Sequence, residues 1–308
     1  MRIISLLSLL STVRIAVGEL YTTRQLYQLA PGTQISSLAQ RGLSWYTRFT
    51  CLDSPEVMEV DPSHQHSGPR IIHTFSNATG TTGIAEIVAD TYAVLTLKED
   101  AGGSSVSLWT LEASNVGTTA TKVIDKIVDG DTQLQVGHLD GLAAVSPSIL
   151  FASDPRNGGI YRFNLSSGMA KKFLDSLPFG PGISGLQYKV PYLYFTHSLD
   201  GVFGRIPFDT TGELTGSPEV LASGDILVGA KDFALADWTD AAFIVNFEKG
   251  TVVRVDIGDE VAEVVVEGIG APTSAAFGAS GGLYVGTAGH GGDGASIWSV
   301  VVPDERFI

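Results

Sequence analysis

Only one cysteine, Cys51, occurs in 308 residues, which excludes an intramolecular disulfide and any Cys-x-x-Cys metal or redox site. Stability must come from packing. Basic residues are scarce as well: 19 Lys and Arg against 33 Asp and Glu leave a formal charge of −14, and no basic run exceeds Lys171-Lys172. The phosphate-neutralising stripe of a nucleic-acid binder is missing, so DNA and RNA are not expected partners. Beyond the N-terminus no segment reaches the ~18 apolar residues of a membrane span, and none is expected. Helical periodicity is nearly absent, and no strand–elbow–helix pattern is available to present a nucleophilic serine.

What is present is punctuation. Thirty-six Gly and 13 Pro divide short runs rich in Val, Ile, Leu, Phe and Tyr, the pattern of strands separated by turns. Met1-Arg2, the largely apolar stretch Ile3 to Val13 and the small residues Ala16-Val17-Gly18 read as a secretory signal, with residues 1–18 removed before Glu19. Asn77-Ala78-Thr79 and Asn164-Leu165-Ser166 are glycosylation sequons in keeping with a secreted protein or one in the secretory lumen. Residues 19–308 are then expected to form one domain.

Within it a template recurs: a strand of small residues, a turn, a strand closing on a polar residue, a glycine turn, and an aromatic or Val-Arg strand. One copy runs through Gly141-Leu142-Ala143-Ala144-Val145, Ile149 to Asp154, and Gly159 to Asn164. The next runs through Ile183-Ser184-Gly185-Leu186, Tyr192 to His197, and Gly201 to Ile206. Two further copies follow from Asp232 and Thr273, and two weaker ones precede, near Ile35 and Gly83. Corresponding positions 36, 83, 140, 184, 232 and 273 are 47, 57, 44, 48 and 41 residues apart, the ~40–50 residues of a four-stranded propeller blade. The expected fold is therefore all-β, a six-bladed β-propeller. Gln25-Leu26-Tyr27-Gln28-Leu29 has the alternation of an edge strand able to join the last blade near Trp298 and close the ring.

The strings Ser54-Pro55-Glu56-Val57-x-x-Val60-Asp61-Pro62, Gly83-Ile84-Ala85-Glu86-Ile87, Gly182-Ile183-Ser184-Gly185-Leu186, Asp232-Phe233-Ala234-Leu235 and Pro272-Thr273-Ser274-Ala275-Ala276-Phe277-Gly278 follow one another on this period. In that order they resemble the secreted fungal branch of the gluconolactonase/senescence-marker-protein propeller superfamily, over roughly residues 24–302. Some members of that branch resemble the hetero-Diels–Alderases of tropolone sesquiterpenoid biosynthesis. That resemblance implies an enzyme joining a tropolone quinone methide to a sesquiterpene alkene, with a neutral small molecule as partner. Such a cycloaddition needs no nucleophile and no cofactor, only a pocket that holds diene and dienophile and hydrogen-bonds the reacting carbonyl.

In a propeller the start of the innermost strand and the end of the second strand of each blade lie on one face, around the channel mouth. This geometry selects His197, Asn246, Asp154 and Thr287 as candidate catalytic donors. It selects Thr50, Cys51, Asp140, Ser184, Asp232 and Thr273 as substrate-binding residues. Apolar loops at residues 173–181, with Phe179, at 226–229 and at 266–272 are expected to rim the mouth. Superfamily lactonases hold a divalent cation on the axis with Glu, Asn and Asp. Here Asp232 stands at the axial Asp position, Asp140 at an Asn position, Ser184 replaces another Asn, and blade 1 offers no carboxylate. That is a thin oxygen cage for a hard cation, and no metal is expected. A metal-dependent lactonase, with Asp140 and Asp232 as weak metal candidates, and a non-catalytic binding propeller remain the alternatives.

Overall fold

The computed structural model describes residues 21–42, 46–64, 67–101, 103–114, 117–125, 128–129, 134–135, 138–174, 180–279, 281–290 and 292–303. Residues 1–18 lie outside them. Six four-stranded antiparallel sheets are arranged as the blades of a six-bladed β-propeller. Counted from the axis outward, blade 1 consists of Ile35–Gln40, Thr47–Cys51, Ser54–Val60 and Arg70–Thr74. The innermost strands of blades 2 to 6 are Gly80–Val88, Leu142–Ser146, Ile183–Lys189, Ala230–Leu235 and Pro272–Phe277. The second strands alternate least of all. Thr47–Cys51, Ile149–Ser153, Ala241–Asn246 and Leu283–Thr287 are buried at every position, because a blade flanked by two others has no solvent face there.

The ring closes by an N-terminal strand. Thr22–Gln28 forms the outermost strand of blade 6, antiparallel to Ser296–Val301, with Gln25 opposite Trp298 as the edge-strand reading expects. Tyr27 then donates its hydroxyl to the Asp61 carbonyl of blade 1 at 2.7 Å, tying the closed seam to the next blade.

The described residues form no single central core. Six buried apolar clusters occupy the six spaces between neighbouring blades: Phe49 and Tyr284 between blades 1 and 6, Val57 and Val94 between 1 and 2, Leu95 and Phe163 between 2 and 3. Phe151 with Phe195, Phe203 with Phe233, and Val245 with Val285 fill the other three. At roughly 1.5–3 kcal/mol for each large side chain removed from water, the blades are held mainly by these lateral contacts. The axis is left for other groups.

The two sequons sit in different environments. Asn77 is exposed in a turn with φ 65°. The Asn164 carboxamide oxygen instead accepts the Ser166 and Ser167 amides at 3.0 and 3.1 Å, folding the hairpin between the outer strands of blade 3. No helix among the described residues is long and apolar enough to cross a membrane.

Candidate functional site

Five of the six innermost strands begin with a break in pairing, and in blade 3 the break comes later, between Ala144 and Ser146. In blade 1 the register passes from Ile35↔Cys51 to Ser37↔Thr50, in blade 5 from Ala230↔Asn246 to Asp232↔Val245, in blade 6 from Pro272↔Thr287 to Ser274↔Gly286. Blades 2 and 4 jump from Thr81 to Ile84 and from Ile183 to Leu186. A β-bulge adds one unpaired residue and re-aims its side chain, so Ser36, Lys231 and Thr273 are freed from the ladder. Small residues permit the crowding that results: a Cβ on Gly185 would lie 2.8 Å from the Asp232 Cα, and one on Gly83 would lie 2.6 Å from the Asp140 carbonyl oxygen.

Hydroxyls on the second strands lock these bulges. Thr196 Oγ1 accepts the Gly185 amide at 2.9 Å and donates to the Lys231 carbonyl of the next blade at 3.0 Å. Ser153 accepts the Gly141 amide at 3.0 Å and donates to the Ser184 carbonyl at 2.5 Å, while Thr50 accepts the Ser37 amide and donates to Thr82. Thr273 Oγ1 donates to the Ile35 carbonyl at 2.8 Å across the last interface. Thr50 and Thr273 thus stitch blades together, and Thr273 also lines the channel.

Two cavities meet on the axis. The upper one, of about 300 Å³, opens at the starts of the innermost strands and is lined by Ile35, Leu52, His138, Phe247 and Ala288 among others. The lower one, of about 380 Å³, opens at their ends, beside Gln187, Lys189 and Phe277. Ser36, Asp140, Lys231 and Thr273 line both. They form the waist of the channel.

The chemistry of the waist is an ion pair. The Lys231 ammonium donates to Oδ2 of Asp140, and the Ser184 hydroxyl donates to the same oxygen at 3.2 Å. Burial alone would raise the Asp140 carboxyl, but the charge and hydrogen bond of Lys231 hold it below the ordinary carboxylate value. Asp232 lines the lower cavity without such a bond, and burial pushes it up to about 7 despite backbone amides from Phe233 and Ala275. The two axial carboxyls are driven apart: one is ionised at neutral pH, the other is poised near neutrality. Burial also lowers His138 at the upper cavity.

The four candidate donors sit elsewhere. Asp154 Oδ1 accepts the Asn157 amide at 3.0 Å, His197 Nδ1 the Asp200 amide at 3.3 Å, and Asn246 Oδ1 the Lys249 amide at 3.0 Å. In all three the residue three positions on is the donor and a left-handed glycine follows: Gly158, Gly201 and Gly250, at φ 71°, 59° and 66°. These side chains brace hairpin turns. Asn246 Nδ2 also donates to the Ile226 and Val228 carbonyls, and His197 Nε2 lies 3.3 Å from the Gly180 carbonyl oxygen. Thr287 pairs with the Ser296 hydroxyl at 3.0 Å. All four are buried, and none lines either cavity, contrary to the expectation of a donor ring at the mouth. The recurring polar residue of the repeat reflects turn geometry, not convergence on the axis.

Cys51 is fully buried, and desolvation pushes its thiol up to about 12. Phe179 lies outside the described residues. The rim expectation needs correcting too: Leu227, Val266 and Ile269 are buried in blade interfaces, and Phe173 and Leu174 pack on the cluster between blades 3 and 4. The apolar wall of the upper cavity comes instead from Leu52, Phe247, Ala230 and Ala288. The Gly-x-Ser-x-Gly string Gly278-Ala279-Ser280-Gly281-Gly282 has its serine outside the described residues, and the strand Leu283–Thr287, not a helix, follows it.

A divalent cation fits this waist poorly. A hard cation wants six to eight oxygens, whereas Asp140 Oδ2 is already occupied by an ammonium and Ser184. Among the described residues, no three His, Cys, Asp or Glu side chains converge on a common point. Lys231 was not anticipated from the sequence. Its only signal was a lysine directly before an axial aspartate at the start of an innermost strand.

No protein-family model matches the sequence, and no curated protein sequence does. Solved structures of the same fold do match. A calcium-binding protein, regucalcin from Agrobacterium tumefaciens, aligns over 92% of this chain and 94% of its own with TM-score 0.68 and 15% identity. A luciferin-regenerating enzyme aligns over 92% and 95%, with TM-score 0.67 and 11% identity. The PQQ-bound aldose sugar dehydrogenase of Streptomyces coelicolor aligns over 91% and 98%, with TM-score 0.60 and 15% identity. At these identities the likeness shows the six-bladed propeller scaffold, on which calcium binding and catalysis both occur in other proteins.

Proposed function

We propose that the chain is a metal-independent pericyclase of secondary metabolism, a hetero-Diels–Alderase joining a tropolone quinone methide to a sesquiterpene alkene in the upper cavity. The observation that carries this reading is the Lys231 ammonium, anchored by Asp140 at the floor of a largely apolar cavity. Reaction forms one C–C and one C–O bond and releases no group. Electron density shifts toward the heterodiene oxygen, and a fixed cationic donor favours that shift in a water-poor site. Leu52, Phe247 and Ala288 offer contact to the hydrocarbon partner, and confinement supplies the near-attack geometry. The lactonase alternative is weakened by the poor fit of a cation at the waist.

The test is to incubate the pure protein with a quinone methide precursor and the alkene. The wild type is expected to raise the adduct rate by about 10²-fold over buffer and fix one stereoisomer, and Lys231→Met to lose both effects. An unchanged rate and product mixture with the wild type would overturn the reading. The N-terminal pattern supports a secretory destination, for which N-terminal sequencing of the exported protein should begin at Glu19.

A further inference from the structure

We propose that the Lys231 ammonium is a built-in cation occupying the place of a divalent metal ion on the propeller axis, so that a neutral residue at 231 turns the waist into a divalent-cation site. The proposal stands apart from the cycloaddition reading. It rests on the position of one side chain.

Three features place the ammonium there. The bulge between Ala230 and Asp232 takes Lys231 out of the ladder, and Thr196 holds its carbonyl at 3.0 Å. Its Nζ bonds Oδ2 of Asp140, which also receives Ser184. Asp232, the next residue along, carries the second carboxyl facing the channel. Two carboxyls, the Ser184 hydroxyl bonded to one of them, and Ser36 and Thr273 lining the same waist supply hard oxygens of the kind Ca²⁺ accepts. One positive charge now compensates them. A divalent ion would have to displace the ammonium from Asp140 and remain beside it, and charge repulsion opposes both.

Without the amine, Asp140 would keep Ser184 as its remaining side-chain donor and be left an uncompensated buried charge, which a bound cation would neutralise. His138 flanks the carboxylate from the upper side, and its charge is suppressed by burial, so it offers little compensation.

Calorimetric titration with Ca²⁺ and luminescence titration with Tb³⁺ test this directly, on the wild type, Lys231→Met, and Lys231→Met combined with Asp140→Asn. Wild type is expected to show no saturable binding up to about 1 mM. Lys231→Met should bind one ion per chain at about 0.1–1 mM, and the double variant should lose it. Saturable sub-millimolar binding by the wild type, or a folded Lys231→Met that stays silent, would overturn the proposal. Should Lys231→Met not fold, Lys231→Gln takes its place, and the wild-type melting temperature gives a second reading: it should not move with Ca²⁺, and a rise would overturn the proposal. None of these readouts uses the cycloaddition, so failure of one reading leaves the other standing or falling separately.

Discussion

Across the channel, Lys231 of blade 5 donates to the carboxylate of Asp140 in blade 3, 91 residues earlier in the chain. The two residues reach one another because both stand where an innermost strand begins. The pair gives the waist a fixed polarity. An ammonium a third exposed faces the cavities, and a carboxylate with 8% exposure lies behind it. Neutral, carbonyl-bearing ligands suit such a site better than anions, because Asp140 and the nearby Glu248 repel them.

A second buried charge cluster is structural. Arg48 donates to Glu59 at 2.9 Å and to the Ala113 carbonyl of blade 2 at 2.7 Å, with its guanidinium 4.4 Å from the Tyr92 ring centroid. Glu59 also accepts from Arg70, whose side chain is 64% exposed. Glu59→Gln is expected to cost about 3–5 kcal/mol, because it leaves the Arg48 charge buried and unpaired. Arg70→Ala should cost under about 1 kcal/mol, as for other exposed ion pairs. Urea unfolding of both variants checks this, and equal costs would contradict the assignment.

Ring closure depends on a glycine. A Cβ at Gly294 would run into the carbonyls of Leu29 and Ala30, just past the closing strand. Ala295, the next residue, holds that segment by exchanging bonds with Leu29 and Thr33 at 2.8 Å. Gly294→Ala should therefore destabilise by about 1–3 kcal/mol and speed proteolytic cleavage near residues 22–28. An unchanged melting curve and cleavage pattern would show that the seam tolerates the shift.

Much of this architecture is legible in the sequence, and the reasons differ by element. The blade period and the pairing of Gln25 with Trp298 follow from alternation and turn residues, which act locally. The bulges are not legible, because a one-residue slip is decided by the partner strand, and that slip chooses which side chain faces the axis. Hence Asp140, Asp232 and Thr273 are found at the channel while Lys231, one residue away, is not singled out. His197, Asn246 and Asp154 err in the opposite direction. Their shared spacing of four residues to a glycine was visible, and it marks a braced turn.

Cys51 provides a test of burial. With the thiol fully enclosed and pushed up to about 12 by desolvation, the thiolate is almost absent at neutral or mildly alkaline pH. Iodoacetamide at about pH 8 should leave the native protein unmodified and label one thiol per chain after unfolding in guanidinium. Stoichiometric labelling of the native state would mean that the interface between blades 1 and 6 opens far more readily than its packing implies.

Asp232 sets a pH dependence whose sign can be worked out. An unfolded aspartate titrates near ~3.9, whereas the folded carboxyl is pushed up to about 7, chiefly by burial and secondarily by the Asp140 charge. Between those values the folded chain holds a proton that the unfolded chain has lost. Stability contributed by this group therefore falls as pH rises through the window and levels off above it. Asp140 acts in the reverse sense, since its depressed carboxyl loses stabilisation only as pH falls below the ordinary aspartate value. Asp232→Asn removes the first effect and leaves the second. The variant should gain about 1–3 kcal/mol over wild type at pH ~8 and little at pH ~4.5, allowing for partial solvent access to the group. Denaturant unfolding at the two pH values measures the difference. A gain of equal size at both would mean that the folded Asp232 carboxyl titrates as it does in the unfolded chain, so that burial does not raise it.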